Sequence, residues 1–225
     1  MFNSIAFRYD FLNHFLSLGI DRSWRKKAIR LLQETQPRRV LDVATGTGDM
    51  AIQLYRILQP EQITGVDISE GMLELGRQKI EKLGLAKQIS LLQGDSEALP
   101  FPDASFDAVM VAFGVRNFEN LEKGLREMCR VLKPGGKAVI LEFSQPAIFP
   151  VKQLFSLYFR FITPSIGKWV ARNKAAYSYL PESVQAFPQG KKMIDILKHN
   201  GYHQAICIPL TFGICSIYCA TRPAY

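Results

Sequence analysis

Two carboxylates, Asp42 and Asp49, bracket a glycine turn in Val40-Leu41-Asp42-Val43-Ala44-Thr45-Gly46-Thr47-Gly48-Asp49. A third acid, Asp67, closes the apolar stretch Gln62-Ile63-Thr64-Gly65-Val66 roughly 20 residues on, the spacing of a nucleotide-binding βαβ unit. Gly46 and Gly48 have no Cβ, so the backbone there can turn sharply and lie against a ligand. Asp67, at the carboxyl end of a strand, is placed to accept hydrogen bonds from a ribose. The pattern Gly-x-Gly-x-x-Ala also admits a dinucleotide. Asp42 argues against one, because its charge would repel a pyrophosphate and attract a cationic or amine-bearing ligand.

Such residues need a scaffold, and the apolar pattern supplies one. Strands are expected near 38–43, 62–67, 88–93, 105–112 and 136–143, and helices near 48–58, 70–83 and 119–132. Lys133-Pro134-Gly135-Gly136 reads as the turn that caps the last of these helices. Residues 1–35 read as helical, with an acid or hydroxyl of Asp21-Arg22-Ser23 at an N-cap. After Phe143 the rhythm breaks into an aromatic, proline-punctuated insertion over 145–187, then a helix near 189–199. Strands near 204–209 and 212–221 are too close in sequence for anything but a hairpin, so the last runs antiparallel. The fold class is therefore α/β: a doubly wound, mostly parallel, seven-stranded sheet with an antiparallel last strand. Ligands bind beyond the carboxyl ends of such strands, where Asp42, Gly46, Asp67, Asp95 and Gly114 fall.

At 225 residues and 48% hydrophobic composition, a single domain spanning 1–225 is expected, not a disordered chain. Arg8 and Asp10 interrupt the N-terminal apolar stretch, which excludes a secretory signal reading. Arg160, Pro164 and Lys168 interrupt the longest apolar run, so a cytoplasmic protein, at most peripheral to a membrane, is expected. Cys129, Cys207, Cys215 and Cys219 lack CxxC spacing and read as reduced thiols. Asn200 and Gly201 separate His199 from His203, and no metal site is expected. The net charge of +8 collects at Arg22, Arg25, Lys26, Lys27 and Arg30, and again at Lys152, Arg160, Lys168, Arg172 and Lys174. The second group is interleaved with Phe149, Phe155, Tyr158, Phe159 and Trp169, which suits a membrane surface better than an RNA groove. Packing of those apolar residues on the core is the equal alternative.

The glycine segment resembles the first motif of class I S-adenosylmethionine-dependent methyltransferases, a Rossmann-like fold whose cofactor is a sulfonium with an ammonium group and no phosphate. Further stretches narrow the resemblance. Met1-Phe2-Asn3-Ser4-Ile5-Ala6, Gly94-Asp95-Ser96-Glu97-Ala98-Leu99-Pro100-Phe101, Ala112-Phe113-Gly114-Val115-Arg116-Asn117 and Tyr177-Ser178-Tyr179-Leu180-Pro181-Glu182 resemble the ubiquinone/menaquinone-biosynthesis C-methyltransferases, over nearly the whole chain. Two departures stand out. Thr45 occupies a position commonly held by glycine, where a β-branched residue disfavours positive φ, and Ala176 precedes Tyr177 where the common pattern Asp-x-x-Ser-Tyr has a serine, so no serine hydroxyl is available there to hold substrate.

The resemblance implies methyl transfer from S-adenosyl-L-methionine to a ring carbon of a prenylated quinol, demethylmenaquinol first among them. It implies cofactor contacts from Asp42, Gly46, Thr47, Gly48, Asp67, Asp95, Ser96 and Ala112. Loss of a phenolic proton pushes electron density onto the adjacent ring carbon, so a site favouring phenolate is required. Arg116, Asn117 and Tyr9 are the catalytic candidates, with Arg116 in an electrostatic role because arginine stays protonated. A salt bridge that merely orders the loop is the alternative for Arg116. Tyr9, Asp10 and Asn13 are expected on an N-terminal helical lid over 1–35. Tyr177 and Tyr179 are expected on an insertion facing substrate and membrane. Partners are then a prenylated quinol and a membrane surface, not nucleic acid, with oligomeric state, a homodimer included, left open. RNA or a soluble phenol as acceptor, and a non-catalytic cofactor-binding component of a quinone-biosynthesis complex, remain the alternatives.

Overall fold

The computed structural model describes residues 19–157 and 182–224. Strands rich in Val, Ile, Leu and Ala stay apolar on both faces, as parallel strands covered by helices on each side must be. They are β1 (Arg39–Val43), β2 (Gln62–Asp67), β3 (Ile89–Gln93), β4 (Phe106–Ala112) and β5 (Leu132–Phe143). The hairpin β6 (His203–Leu210) and β7 (Cys215–Thr221) completes one seven-stranded sheet of order β3-β2-β1-β4-β5-β7-β6. β7 pairs antiparallel with both neighbours, which makes β6 parallel to the rest. This is the expected fold class.

Helices α1 (Asp21–Arg30), α2 (Asp49–Leu58) and α3 (Glu70–Lys82) bury Trp24, Ala28, Ile29, Met50, Leu54 and Leu73 in one core layer. α4 (Leu121–Val131) and α6 (Lys191–His199) bury Leu125, Met128, Met193 and Leu197 in the other. Short α5 (Val151–Leu157) follows β5, inside the expected insertion. Of the lid expected over 1–35, the part before Gly19, with Tyr9, Asp10 and Asn13, lies outside the described residues, as do Tyr177 and Tyr179 of the insertion. No helix among the described residues is long and apolar enough to cross a membrane, and no group of three or more His, Cys, Asp or Glu gathers there to hold a metal.

Two local expectations are corrected. α1 begins at Ile20 without a side-chain cap, because Asp21 is buried inside the first turn and pairs with Arg25 at 3.5 Å. The Lys133–Gly136 stretch belongs to β5. Leu132 is already extended, and Gly135, at φ +78°, sits where the register against β4 slips. Its N–H donates to Arg222 O at 3.0 Å, and Arg222 N–H donates to Gly136 O at 2.9 Å. A Cβ on Gly136 would come within 2.8 Å of Lys133 O and 2.9 Å of Asp107 O, so the bulge needs that glycine.

Candidate active site

The loop between β1 and α2 is held in left-handed backbone at Ala44 (φ +52°), Gly46 (φ +57°) and Gly48 (φ +77°). Thr45 is not among the positive-φ residues, so the strain expected there falls on Ala44, at a cost of about 1 kcal/mol. Thr45 N–H donates to Val66 O at 3.0 Å, and its hydroxyl donates to Asp42 Oδ2 at 2.5 Å. Room for that threonine comes from Gly65 on β2, where a Cβ would lie 2.8 Å from Thr45 Oγ1. The threonine in place of the usual glycine thus holds Asp42 under the loop.

Asp67 ties the same loop from the other side. Its Oδ2 accepts from Gly46 N–H at 2.8 Å and its Oδ1 from Ser69 N–H at 2.9 Å. Burial raises its carboxyl above the ordinary range, against the pull of those backbone donors. Asp95, after β3, folds its own loop by accepting from Glu97 N–H at 2.8 Å.

These loops open on a cleft of about 320 Å³ at the carboxyl ends of the parallel strands. Of the residues named from sequence, Gly46, Asp67, Asp95, Ser96, Ala112 and Asn117 line it. The walls also include Ile68, Met72, Gly114 and Phe118. A Cβ on Gly114 would lie 2.5 Å from Ala44 Cβ, so the β4 loop approaches the glycine loop only because that side chain is absent. Among the described residues the lining carries the carboxylates Asp67, Asp95, Glu97 and Glu119 and no lysine, arginine or histidine. A pyrophosphate would be repelled there, and a cation with ribose and amino groups would be attracted. That separates the dinucleotide reading from the sulfonium reading.

Four predicted residues stand behind the lining. Asp42 is 1% exposed, and its Oδ1 has no hydrogen-bond partner among the described residues. Burial pushes its carboxyl up to about 7, opposed by the Thr45 hydroxyl and the Arg25 charge. A buried acceptor without a donor fits a site whose ligand brings positive charge. Lys79 Nζ donates to the Thr47 hydroxyl at 2.8 Å and to Asp49 Oδ1 at 2.6 Å, locking α3 to the start of α2. Gly48 caps α2, and its open side faces Ile80 and Leu91 in the core. Arg116 lies in the turn after β4. Its guanidinium donates to Glu142 Oε1 at 2.7 Å and to Phe113 O at 2.6 Å, and rests 5.7 Å over the Phe143 ring.

Arg116 lines instead a neighbouring cavity of about 410 Å³, with Val115, Glu182, Ser183 and Phe187. Phe118 and Glu119 are common walls of the two spaces. Sequence reasoning missed Glu142 as a site residue. Its signal was one acid near the end of the otherwise apolar run Ala138 to Phe143, fully buried at the sheet's ligand-binding edge.

The chain matches the ubiE/COQ5 methyltransferase family over residues 1–222. It is 53% identical over 222 residues to a demethylmenaquinone methyltransferase of Bacteroides fragilis, covering 99% of this chain and 91% of that one. It is 47% identical over 219 residues to the ubiquinone/menaquinone biosynthesis C-methyltransferase UbiE of Geobacter sulfurreducens, covering 97% and 85%. Among solved structures, a SAM-dependent methyltransferase from Aquifex aeolicus superposes with a TM-score of 0.63 at 21% identity, over 86% of this chain and 88% of that one. Phosphoethanolamine N-methyltransferase 2 of Haemonchus contortus, in complex with S-adenosyl-L-methionine, gives 0.64 at 16% identity, over 88% and 52%. At such identities these structures speak for the fold alone.

Proposed function

The chain belongs to the ubiE/COQ5 methyltransferase family, and we propose from that premise that it methylates a ring carbon of a prenylated quinol, demethylmenaquinol first among them. It is an S-adenosyl-L-methionine-dependent C-methyltransferase. The observation that carries the reading of the site is a cleft that, among the described residues, is lined by four carboxylates without a cation, backed by the Oδ1 of Asp42, which has no partner among them. S-adenosyl-L-methionine bound there supplies an electrophilic methyl group.

Gly46, Asp67, Asp95, Ser96 and Ala112 would hold the cofactor, Asp67 at the ribose hydroxyls and Asp95 at the adenine amino group. Asp42, Thr47 and Gly48 support the loop from behind. The negative field of Asp42 favours the cationic end of the ligand. We place the quinol ring in the adjoining cavity, which shares the walls Phe118 and Glu119 with the cleft. Asn117 is the described catalytic candidate that reaches the cleft, and Tyr9 is proposed to meet the substrate from the N-terminal segment. Arg116 is spent on Glu142, and a neutralised pair exerts little pull on a phenolate. We therefore read Arg116 as a positioning residue that fixes the turn carrying Gly114 and Asn117.

The substrate's prenyl tail partitions into lipid, so the reading includes peripheral contact with the inner face of a membrane by a cytoplasmic protein, whether monomer or homodimer. The names of the relatives weigh for a quinol over RNA or a soluble phenol. The test is transfer of labelled methyl to reduced demethylmenaquinone and to a demethylated benzoquinol in detergent. Preferential labelling of the naphthoquinol is expected. No transfer to either ring from protein that binds the cofactor contradicts the quinol reading.

A further inference from the structure

The loops after β5 and after β6 emerge on the same edge of the sheet as the cofactor cleft, since both strands run parallel to β1. They are fastened together. Ser144 N–H donates to Ile214 O at 2.9 Å, and its hydroxyl donates to Gly213 O at 2.8 Å. From this paired base project Phe149, 77% exposed, Phe212, 69% exposed, and Ile148. Single exposed apolar residues are ordinary, but three large ones on two joined loops are not.

The turn that presents Phe212 is strained as well. Thr211 (φ +46°) and Phe212 (φ +57°) are both left-handed, a conformation that L side chains avoid, and no burial of the phenyl ring offsets it. A strained turn that lifts an aromatic ring into solvent marks a contact surface.

Charge specifies the partner. Between Ser144 and Leu157, and between Thr211 and Ile214, the chain carries no acid, while Lys152 is exposed one turn beyond Phe149. Trp24 Nε1 donates to Thr211 Oγ1 at 2.8 Å, which pins the first turn of α1 beside the Phe212 turn. The outer face of α1 presents Arg22, Ser23, Lys26, Lys27 and Arg30, with its acid, Asp21, buried. Arg22 and Lys26 join Arg56 in a groove between α1 and α2 whose one acid among the described residues is Asp49. Apolar tips flanked by cations suit a bilayer whose headgroups are anionic.

We propose that Ile148, Phe149 and Phe212 enter an anionic lipid surface while Arg22, Lys26 and Lys152 meet its headgroups, turning the cleft edge toward the membrane. The inference rests on the quinol reading, in which the acceptor arrives from lipid. It adds which face docks and on what chemistry.

The test is co-sedimentation with vesicles of phosphatidylcholine containing phosphatidylglycerol, and with phosphatidylcholine alone. Wild-type protein is expected to pellet with the anionic vesicles, less with the neutral ones, and less again as salt rises. Phe149→Ser/Phe212→Ser removes two exposed rings, so folding and cofactor binding are expected to persist while partitioning falls about tenfold or more. Equal partitioning of variant and wild type, or wild type remaining in solution beside anionic vesicles, overturns the docking surface. Turnover of a short-chain demethylmenaquinol in solution is expected to be the same for both proteins. Failure of that turnover in wild type contradicts the quinol reading, and the vesicle result is read separately from it.

Discussion

Arg116 and Glu142 form an ion pair of 2.7 Å in which the two side chains are 3% and 0% exposed. Glu142 also accepts from Phe143 N–H at 2.9 Å and from Arg116 N–H at 3.3 Å, so one carboxylate holds the end of β5 and the turn after β4 together. That turn carries Gly114 and Asn117 into the cleft. Removing one partner leaves the other buried without compensation, at a cost of about 3–5 kcal/mol. Glu142→Ala is expected to lower the urea midpoint accordingly. Arg116→Ala is expected to raise the KM for the cofactor as well as lower kcat, because a wall of the cleft loosens. A purely electrostatic role in the transition state would leave cofactor affinity unchanged.

Asp42 predicts a pH dependence whose sign is fixed. Its folded carboxyl is pushed up to about 7, above an ordinary value of about 4, chiefly by burial. The folded chain therefore holds a proton the unfolded chain has released, and the stability this contributes is lost as pH rises from about 4 through about 7. Bound positive charge favours the ionised form, so cofactor binding releases a proton below pH 7 and tightens as pH rises toward it. Besides burial, Thr45, Arg25 and the Ala51 backbone lower the Asp42 carboxyl and Asp67 raises it. Calorimetric titration on either side of pH 7 is expected to show this for wild type. In Asp42→Asn binding is weaker and the proton release near pH 7 is lost.

Asp67→Ala removes the acceptor for Gly46 N–H and Ser69 N–H together with the proposed ribose contact. Cofactor affinity is expected to fall by about tenfold or more, since a hydrogen bond to a charged group is worth about 1.5–3 kcal/mol. Equilibrium binding of S-adenosylhomocysteine measures it without turnover.

Gly65 and Thr45 are expected to be coupled. An alanine Cβ at Gly65 would press on Thr45 Oγ1 at 2.8 Å and Leu91 Cδ2 at 2.5 Å. Gly65→Ala should cost about 1–3 kcal/mol, and less in a Thr45→Gly background. Denaturation of the four proteins of the cycle gives the coupling, and additivity would place the crowding on Leu91 alone.

What could be read from sequence follows from the range of the forces involved. The parallel strands were legible because burial on both faces writes a continuous apolar run, as in Ala108 to Val111. Gly46 and Asp67 were legible because a βαβ unit keeps them at a set spacing. The boundary at Leu132 was not, because the bulge at Gly135 is stabilised by Arg222 from the far end of the chain. The cap of α1 was misplaced because Asp21 leaves the helix end for a buried pair with Arg25. Glu142 escaped notice because its partner is distant in sequence, and nothing local marks a strand acid as half of a buried pair. From sequence Thr45 is a β-branched departure at a glycine position, whereas in the fold Gly65 on the neighbouring strand makes room for it.

Transfer to carbon is tested most directly by the isotope at that carbon. Demethylmenaquinol deuterated at the ring position to be methylated would be turned over with S-adenosyl-L-methionine and the product weighed. C-methylation predicts a product that has gained the methyl group and lost the ring deuterium, because the new bond replaces that hydrogen. A methylated product that keeps its deuterium would place the methyl on oxygen and contradict the assignment. So would the absence of any transfer from protein that binds the cofactor.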